Sequence, residues 1–379
     1  MPHRLLTLSH SYVVALNRRL AVEMARAGGG EWEVTAAAPR FFRGDLRPIR
    51  LERDGADAGL ELVELGAHLT RFPHLFLYGP ELRRLARRRW DVLHCWEEPF
   101  VLAAAEVAAL AGDGARLVFS TYQNLPKRYP PPFGALERRN LRRAAGWVAG
   151  GRTAVEVLAE RPGYRDRPFA QIPMGVDLDV FRPDAPAGAA IRERLGWGGD
   201  GPPVLGFMGR FVPEKGCALM VRALEGVSGP WRALLVGDGP LRPELERWAN
   251  RHPERVRVLP SVRHDEVPAH LNAMDVVCVP SQTTPLWKEQ FGRALIEAFA
   301  CGRAVLASDS GEIPHTAGPA AELLPEADTG AWSAAVERLR DDGARRRELG
   351  ELALDRARRH FAWPVVARQH LDFFRRLMG

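Results

Sequence analysis

At 379 residues the sequence is too long for a usual single core, so two domains are the expectation. Its composition, 46% hydrophobic and 26% charged, is that of an ordinary globular enzyme and sets aside fibrous or disordered classes. The formal net charge of +6 is mostly an excess of arginine; nucleic acid, an anionic membrane surface or a phosphorylated ligand would each fit it.

In chain order, HRLLTLS predicts a first strand. ALNRRLAVEMARAGG then places Leu16, Leu20, Met24 and Ala27 at helical spacing and stops at glycine. EWEVTAAAP, WDVLHCW, ARLVFSTY and GWVAGG predict further strands, each separated from the next by a basic or alanine-rich helical segment. This alternation predicts an α/β chain with a doubly wound parallel sheet. Pro and Asp accumulate in IPMGVDLDVFRPDAPAG, residues 172–188, and the alternation then restarts. PPVLGFMGR, WRALLVGDG, VRVLPSV, DVVCVPS and RAVLASDSG predict a second set of strands, and two charged amphipathic helices close the chain. Two Rossmann-like halves joined near residue 183 are expected.

The basic segments LRRLARRRW and LERRNLRRAAGW are interleaved with apolar residues at helical spacing. They are either solvated helix faces or surfaces for a membrane or an acceptor. The four cysteines are scattered through apolar runs with no C-x-x-C pair, as expected of buried reduced thiols in a cytosolic protein. The first residues lack a signal-peptide pattern, and FVLAAAEVAALAG is short and carries Glu106, so it cannot span a bilayer. A cytoplasmic protein is expected, with peripheral contact at the inner membrane face as an open option.

In open parallel sheets, ligands sit beyond the carboxyl ends of the strands. In GFMGRFVPEKGC, Gly209 permits close backbone approach, and Arg210 and Lys215 lie on one loop, able to neutralise a diphosphate. The alternative is two surface cations. LLVGDGPLRPEL has a G-x-G, but Arg242 stands where a dinucleotide fingerprint needs its third glycine; it reads as a tight strand-to-helix turn. In KEQFGRALIEAFACG, Glu289 precedes a helix and Glu297 lies in its third turn. The first-turn amides near Gly292 and Arg293 form an anion site, and the two acids can accept hydrogen bonds from hydroxyls on either side of a phosphate. A nucleotide sugar has that layout. Glu312 in SDSGEIPH either shapes the same pocket or caps the next segment.

Taken together and in order, GRFVPEKG, VGDGP, DVVCVPS, the E-x7-E of EQFGRALIE and ACGRAVLASDSGEIP resemble the donor half of family 4 retaining glycosyltransferases. IPMGVDLDVFRP resembles that family's interdomain segment, with Met174 where Asn is usual. The resemblance implies a GT-B fold, two facing Rossmann-like doubly wound domains with the site in the cleft. It implies an acceptor-side domain over 1–182, a donor domain over 183–355, and a C-terminal helix over 356–379 packing back toward the first domain. It implies a hexosyltransferase-type enzyme of glycan biosynthesis, with Arg210 and Lys215 holding the donor diphosphate, Glu289 on the transferred sugar and Glu297 on the ribose. It also implies the amides near Phe291 and Gly292 on sugar or phosphate, and the base near Val262 and Arg263. No cofactor and no metal ion are implied, the cations and the helix dipole doing that work.

The first half departs from the family pattern. LSHSYVVALN lacks the usual glycines after the first strand, and FSTYQNLPKRYPPPF has Gln123 and Asn124, then Lys127, where many members carry a histidine. His10 and His94, with Glu97 and Glu98 near His94, join Gln123, Asn124 and Lys127 as acceptor-side candidates; structural roles are the alternative. The expected reaction is front-face retaining transfer, the departing phosphate oxygen taking the acceptor proton. Expected partners are a nucleotide sugar and a saccharide, lipid-linked or small-molecule acceptor. Nucleic acid is disfavoured because no aromatic-basic stripe is present. A nucleotide-sugar epimerase, a phosphorylase and a carbohydrate- or partner-binding homologue without turnover stay open.

Overall fold

The structure is a computed structural model and describes residues 1–43 and 48–379. It falls into two compact units, Met1–Gly175 with Trp363–Gly379, and Val176–Ala362. The division therefore lies at 175/176 where the sequence suggested 182/183, and the returning segment begins at Trp363 where it suggested 356. Val176 belongs with the second unit because its N–H donates to the Phe361 carbonyl at 2.7 Å.

The first unit is built on seven parallel strands. They are β1 (His3–Leu8), β2 (Trp32–Pro39), β3 (Glu61–Leu65), β4 (Val92–Cys95), β5 (Arg116–Thr121), β6 (Gly146–Ala149) and β7 (Phe169–Gln171), in the order β7-β6-β5-β4-β1-β2-β3. Leu5, Leu6, Leu8, Val92 and Val118 are fully or almost fully buried, as strands covered on both faces require. One cover is the helix Ala15–Gly28, which packs on the C-terminal helix Trp363–Met378. Val366, Leu371, Phe373 and Phe374 of that last helix are at most 1% exposed. Each contributes about 1.5–3 kcal/mol in gross transfer free energy.

The second unit has six parallel strands. They are β8 (Val204–Met208), β9 (Arg232–Val236), β10 (Val256–Leu259), β11 (Val276–Val279), β12 (Ala304–Ser308) and β13 (Glu322–Leu324), in the order β10-β9-β8-β11-β12-β13. Its core gathers Leu205, Phe207, Phe211, Leu235, Trp248, Leu306 and Trp332. Helices start where side chains satisfy their first amides: Asp184 caps Ala187 N–H, and Asp328 caps Ala331 N–H.

All four cysteines are buried and free, and burial pushes the Cys278 and Cys301 thiols up to about 12. Among the described residues no helix is long and apolar enough to cross a membrane.

Candidate functional site

In the six-stranded unit the strand order reverses between β8 and β11, so the chain leaves these neighbours in opposite directions. In open parallel sheets this is the point, beyond the carboxyl ends of the strands, where ligands bind. From β8 come Gly209, Arg210 and the 3-10 turn Pro213–Lys215; from β11 come Ser281 and, further along its loop, Glu289. Lys215 Nζ donates to Glu289 Oε2 at 2.6 Å, and Ser281 Oγ donates to the same oxygen at 2.8 Å. The ammonium also lies 5.0 Å from the Trp287 ring centroid, within cation–π range. Lys215 is thus a fixed charge at the switch point.

Gly216 explains why the lysine loop can pass there. Its φ is 71°, and a Cβ would stand 1.7 Å from the Pro280 carbonyl oxygen at the end of β11. Any other residue would push the loop away. Gly209 donates its N–H to the Val236 carbonyl at 3.0 Å, which fixes the next residue. The half-buried Arg210 makes no hydrogen bond or ion pair among the described residues. Its guanidinium keeps all its donors for something else.

The helix of the E-x7-E segment runs Arg293–Ala300, so Glu297 lies in its second turn, one turn earlier than the sequence suggested. Gly292 precedes it with φ 85°, a conformation that glycine adopts freely. Phe291 and Gly292 both have acceptor bonds to their carbonyls, from Thr316 Oγ1 and Leu295 N–H. Their own N–H groups have no acceptor among the described residues, so they stand ready for an anion. Arg293 is exposed at the helix start. Glu297 is only 6% exposed and its carboxyl has no hydrogen-bond partner among the described residues. Burial pushes it up to about 7, against a smaller opposing pull from Arg293. Glu312 is buried beside this segment, and its N–H donates to the Glu289 carbonyl at 2.9 Å.

Val262 and Arg263 follow β10, an edge strand two places from β8. Arg263 is exposed and paired with Asp265 at 3.0 Å. The Gly237–Gly239 segment is a turn: Phe211 N–H donates to Asp238 O, and Leu241 N–H donates to Phe211 O. Ser281 and Trp287 were not singled out from sequence as site residues. The signal available was their position, at the ends of strands that flank the reversal.

The first unit has its own reversal, between β1 and β4, and it too carries a buried carboxylate with a close side-chain partner. His10 Nδ1 lies 2.6 Å from Glu97 Oε2, and Tyr78 OH donates to Glu97 Oε1 at 2.7 Å. Glu97 is 3% exposed, and the imidazole packs 4.7 Å from the Phe42 ring.

The structure corrects two acceptor-side expectations. His94 is fully buried, with Nδ1 2.9 Å from Thr7 Oγ1 and Nε2 2.8 Å from Ser120 Oγ. Burial holds it well below the usual histidine range, and it presents no atom to a ligand. The Gln123 amide is spent inside the protein. Its nitrogen donates to Glu98 at 2.9 Å and to Tyr164 OH at 3.2 Å, and its oxygen accepts from Tyr129 OH at 2.8 Å. Asn124 is buried beside it, while Lys127 is exposed.

Two parallel-sheet units, each with a polar pair at the reversal of its strand order, define a doubly wound α/β protein. Comparison with known proteins makes this specific. Residues 202–342 match the family described as glycosyl transferases group 1, and residues 13–180 match glycosyltransferase family 4. A D-inositol 3-phosphate glycosyltransferase of Kineococcus radiotolerans is 30% identical over 94% of this chain and 88% of its own. A 2-deoxystreptamine glucosyltransferase of Streptomyces kanamyceticus is 30% identical over 80% of each. Among solved structures, Anabaena HepE in complex with UDP and glucose matches with TM-score 0.71 at 17% identity over 98% of both chains. A glycosyltransferase from Rickettsia africae matches with TM-score 0.76 at 15% identity over 100% of this chain and 99% of its own. The chain belongs to the family 4, group 1 glycosyltransferases, and its fold class is GT-B.

Proposed function

We propose that this glycosyltransferase moves a sugar from a nucleoside-diphosphate sugar to an acceptor hydroxyl with retention, without a metal ion. The observation that carries the reading is the arrangement at the β8/β11 reversal. A lysine is fixed on a buried glutamate at 2.6 Å; among the described residues an arginine on the same loop has no partner, and a second glutamate is buried and unbonded one helix turn past open amides. Arg210 and Lys215 would hold the diphosphate and stabilise charge on the leaving group. Glu289 would accept from hydroxyls of the transferred sugar, and Glu297 from the ribose. The amides of Phe291 and Gly292 would take a phosphate or sugar oxygen, and the loop at Val262 and Arg263 would border the base.

Retention follows if the acceptor hydroxyl attacks on the face the diphosphate leaves. The bond from anomeric carbon to phosphate oxygen breaks, the bond to the acceptor oxygen forms, and the departing oxygen takes the acceptor proton. The protein supplies position and charge. The acceptor is a saccharide, a lipid-linked saccharide or a small molecule, met in the first unit near His10 and Glu97, and the protein works in the cytoplasm. That HepE is described in complex with UDP and glucose supports a nucleotide-sugar donor here.

A thermal-shift panel of nucleoside diphosphates and their sugar conjugates, with chelator present, tests the donor assignment. One base should raise the melting temperature of the wild type and fail to do so in Arg210→Ala. Equal shifts in both, or a metal requirement for any shift, would overturn it.

A further inference from the structure

In the first unit a hairpin with arms Ala67–His68 and Leu77–Tyr78 carries Leu69, Phe72 and Leu75 at its tip. They are 57%, 52% and 37% exposed. Single exposed apolar residues are ordinary, but three on one short tip are not. Leu69 also sits at φ 57°, the one non-glycine in the left-handed region among the described residues. The tip is held in place from beneath. His74 O accepts the Leu102 N–H at 3.1 Å, and the His74 ring lies 5.4 Å from Phe100 and 6.1 Å from Phe133. Phe100 in turn stacks on Tyr129 at 4.0 Å, which brings the loop before Phe133 beside the tip.

Among the described residues, the exposed charges of the tip and of the loop beside it have one sign. Arg71 of the tip and Lys127 and Arg128 of the neighbouring loop are exposed. Neither residues 66–80 nor residues 122–136 contain an aspartate or glutamate. The nearby acids turn inward: Glu98 to Thr121 and Gln123, Glu137 to Arg161 and Tyr164, and Glu106 to the Tyr78 N–H.

We propose that this face docks on an anionic lipid bilayer. Leu69, Phe72 and Leu75 enter the boundary of the acyl region, and Arg71, Lys127 and Arg128 lie at the level of the lipid phosphates. An apolar tip alone would fit a protein partner or a second copy equally well. The acid-free basic rim favours a negatively charged planar surface. The proposal goes beyond the donor reading and does not rest on it.

The test is co-sedimentation of the whole protein with vesicles of phosphatidylcholine alone and of phosphatidylcholine with phosphatidylglycerol. Binding is expected to the anionic vesicles only, weakening as salt is raised. The pair Leu69→Ser with Phe72→Ser should lower it roughly tenfold. Arg71→Gln, Lys127→Gln and Arg128→Gln should lower it about fivefold for each charge removed. Unchanged melting temperature and unchanged nucleotide thermal shifts in these variants separate loss of docking from loss of fold or donor site. Equal binding to both vesicle types, or none, would overturn the proposal. So would a dimer in solution that Phe72→Ser dissociates, since the face would then belong to a second copy.

Discussion

Glu297 offers the sharpest test, because its burial makes opposite demands on stability and on binding. In the free protein its carboxyl is held up to about 7, from 4.5 for an ordinary glutamate. Holding the proton that far means the charged form costs about 3 kcal/mol more in the fold than in the unfolded chain. The sign is fixed. Below about pH 4.5 the group is protonated in both states and contributes nothing. Between there and about pH 7 the native state binds the extra proton, so stability falls as pH rises, and above that the penalty is complete. Glu297→Gln should therefore melt at a higher temperature than wild type near pH 8, by up to about 3 kcal/mol, and scarcely differ near pH 5. A ribose would reverse the preference, since its hydroxyls donate to the charged form. Nucleoside diphosphate binding to the wild type should tighten as pH rises through neutrality, and titration calorimetry in buffers of different ionisation enthalpy should register proton release. In the glutamine variant both effects should vanish and affinity should fall about ten- to a hundredfold. Parallel stability curves for the two proteins would refute the raised carboxyl. A stability difference of the expected size with equal nucleotide affinity would refute the ribose role.

Other outcomes follow from the same geometry. Arg210→Ala should leave unfolding stability within about 0.5 kcal/mol, since the side chain has no partner among the described residues to lose, while turnover falls a hundredfold or more. Lys215→Ala should lower turnover at least as much and also cost about 1–3 kcal/mol by leaving Glu289 short of its cation; activity within a few-fold of wild type would count against both. Gly216→Ala, with 1.7 Å between the new Cβ and Pro280 O, should be destabilised by more than 2 kcal/mol (a rough floor) and lose donor binding, as chemical denaturation and nucleotide titration would register. His370 is held down to about 4 by burial. Its unfolded form gains a proton as pH falls through about 6.5 while the native form does not, so stability drops on that acid limb. His370→Gln should flatten the limb in thermal unfolding, and an unaltered limb would argue against this assignment.

The donor half was legible because its signals are local. Strands ending in small residues, the glycine after Lys215 and the spacing from Glu289 to Glu297 all lie in short windows, and the parallel order of β8 to β12 follows from strand–helix alternation. What local pattern could not show was partnership across the chain. His94 ends a strand, as a ligand residue would, yet Thr7 and Ser120 claim both its nitrogens from positions far away in sequence. Gln123 is silenced by Tyr164, and Glu97 is tied to His10 from 87 residues away. β3, β7 and β13 are edge strands of three to five residues with partly exposed, polar-containing sequences, so their hydrophobic signal is faint.

The membership of Trp363–Met378 in the first unit has a consequence for synthesis. The ribosome releases the amino-terminal half first, but a wall of that half's interior is encoded after the whole of the second unit. The later-made unit, Val176–Ala362, is uninterrupted and can mature as soon as it emerges. The earlier one must wait, with Leu20, Trp32 and Val34 lacking their helical lid, until Phe374 arrives. Order of translation and order of completion are inverted in this enzyme, and a nascent chain stalled before Trp363 should expose the apolar back of its first sheet to chaperones.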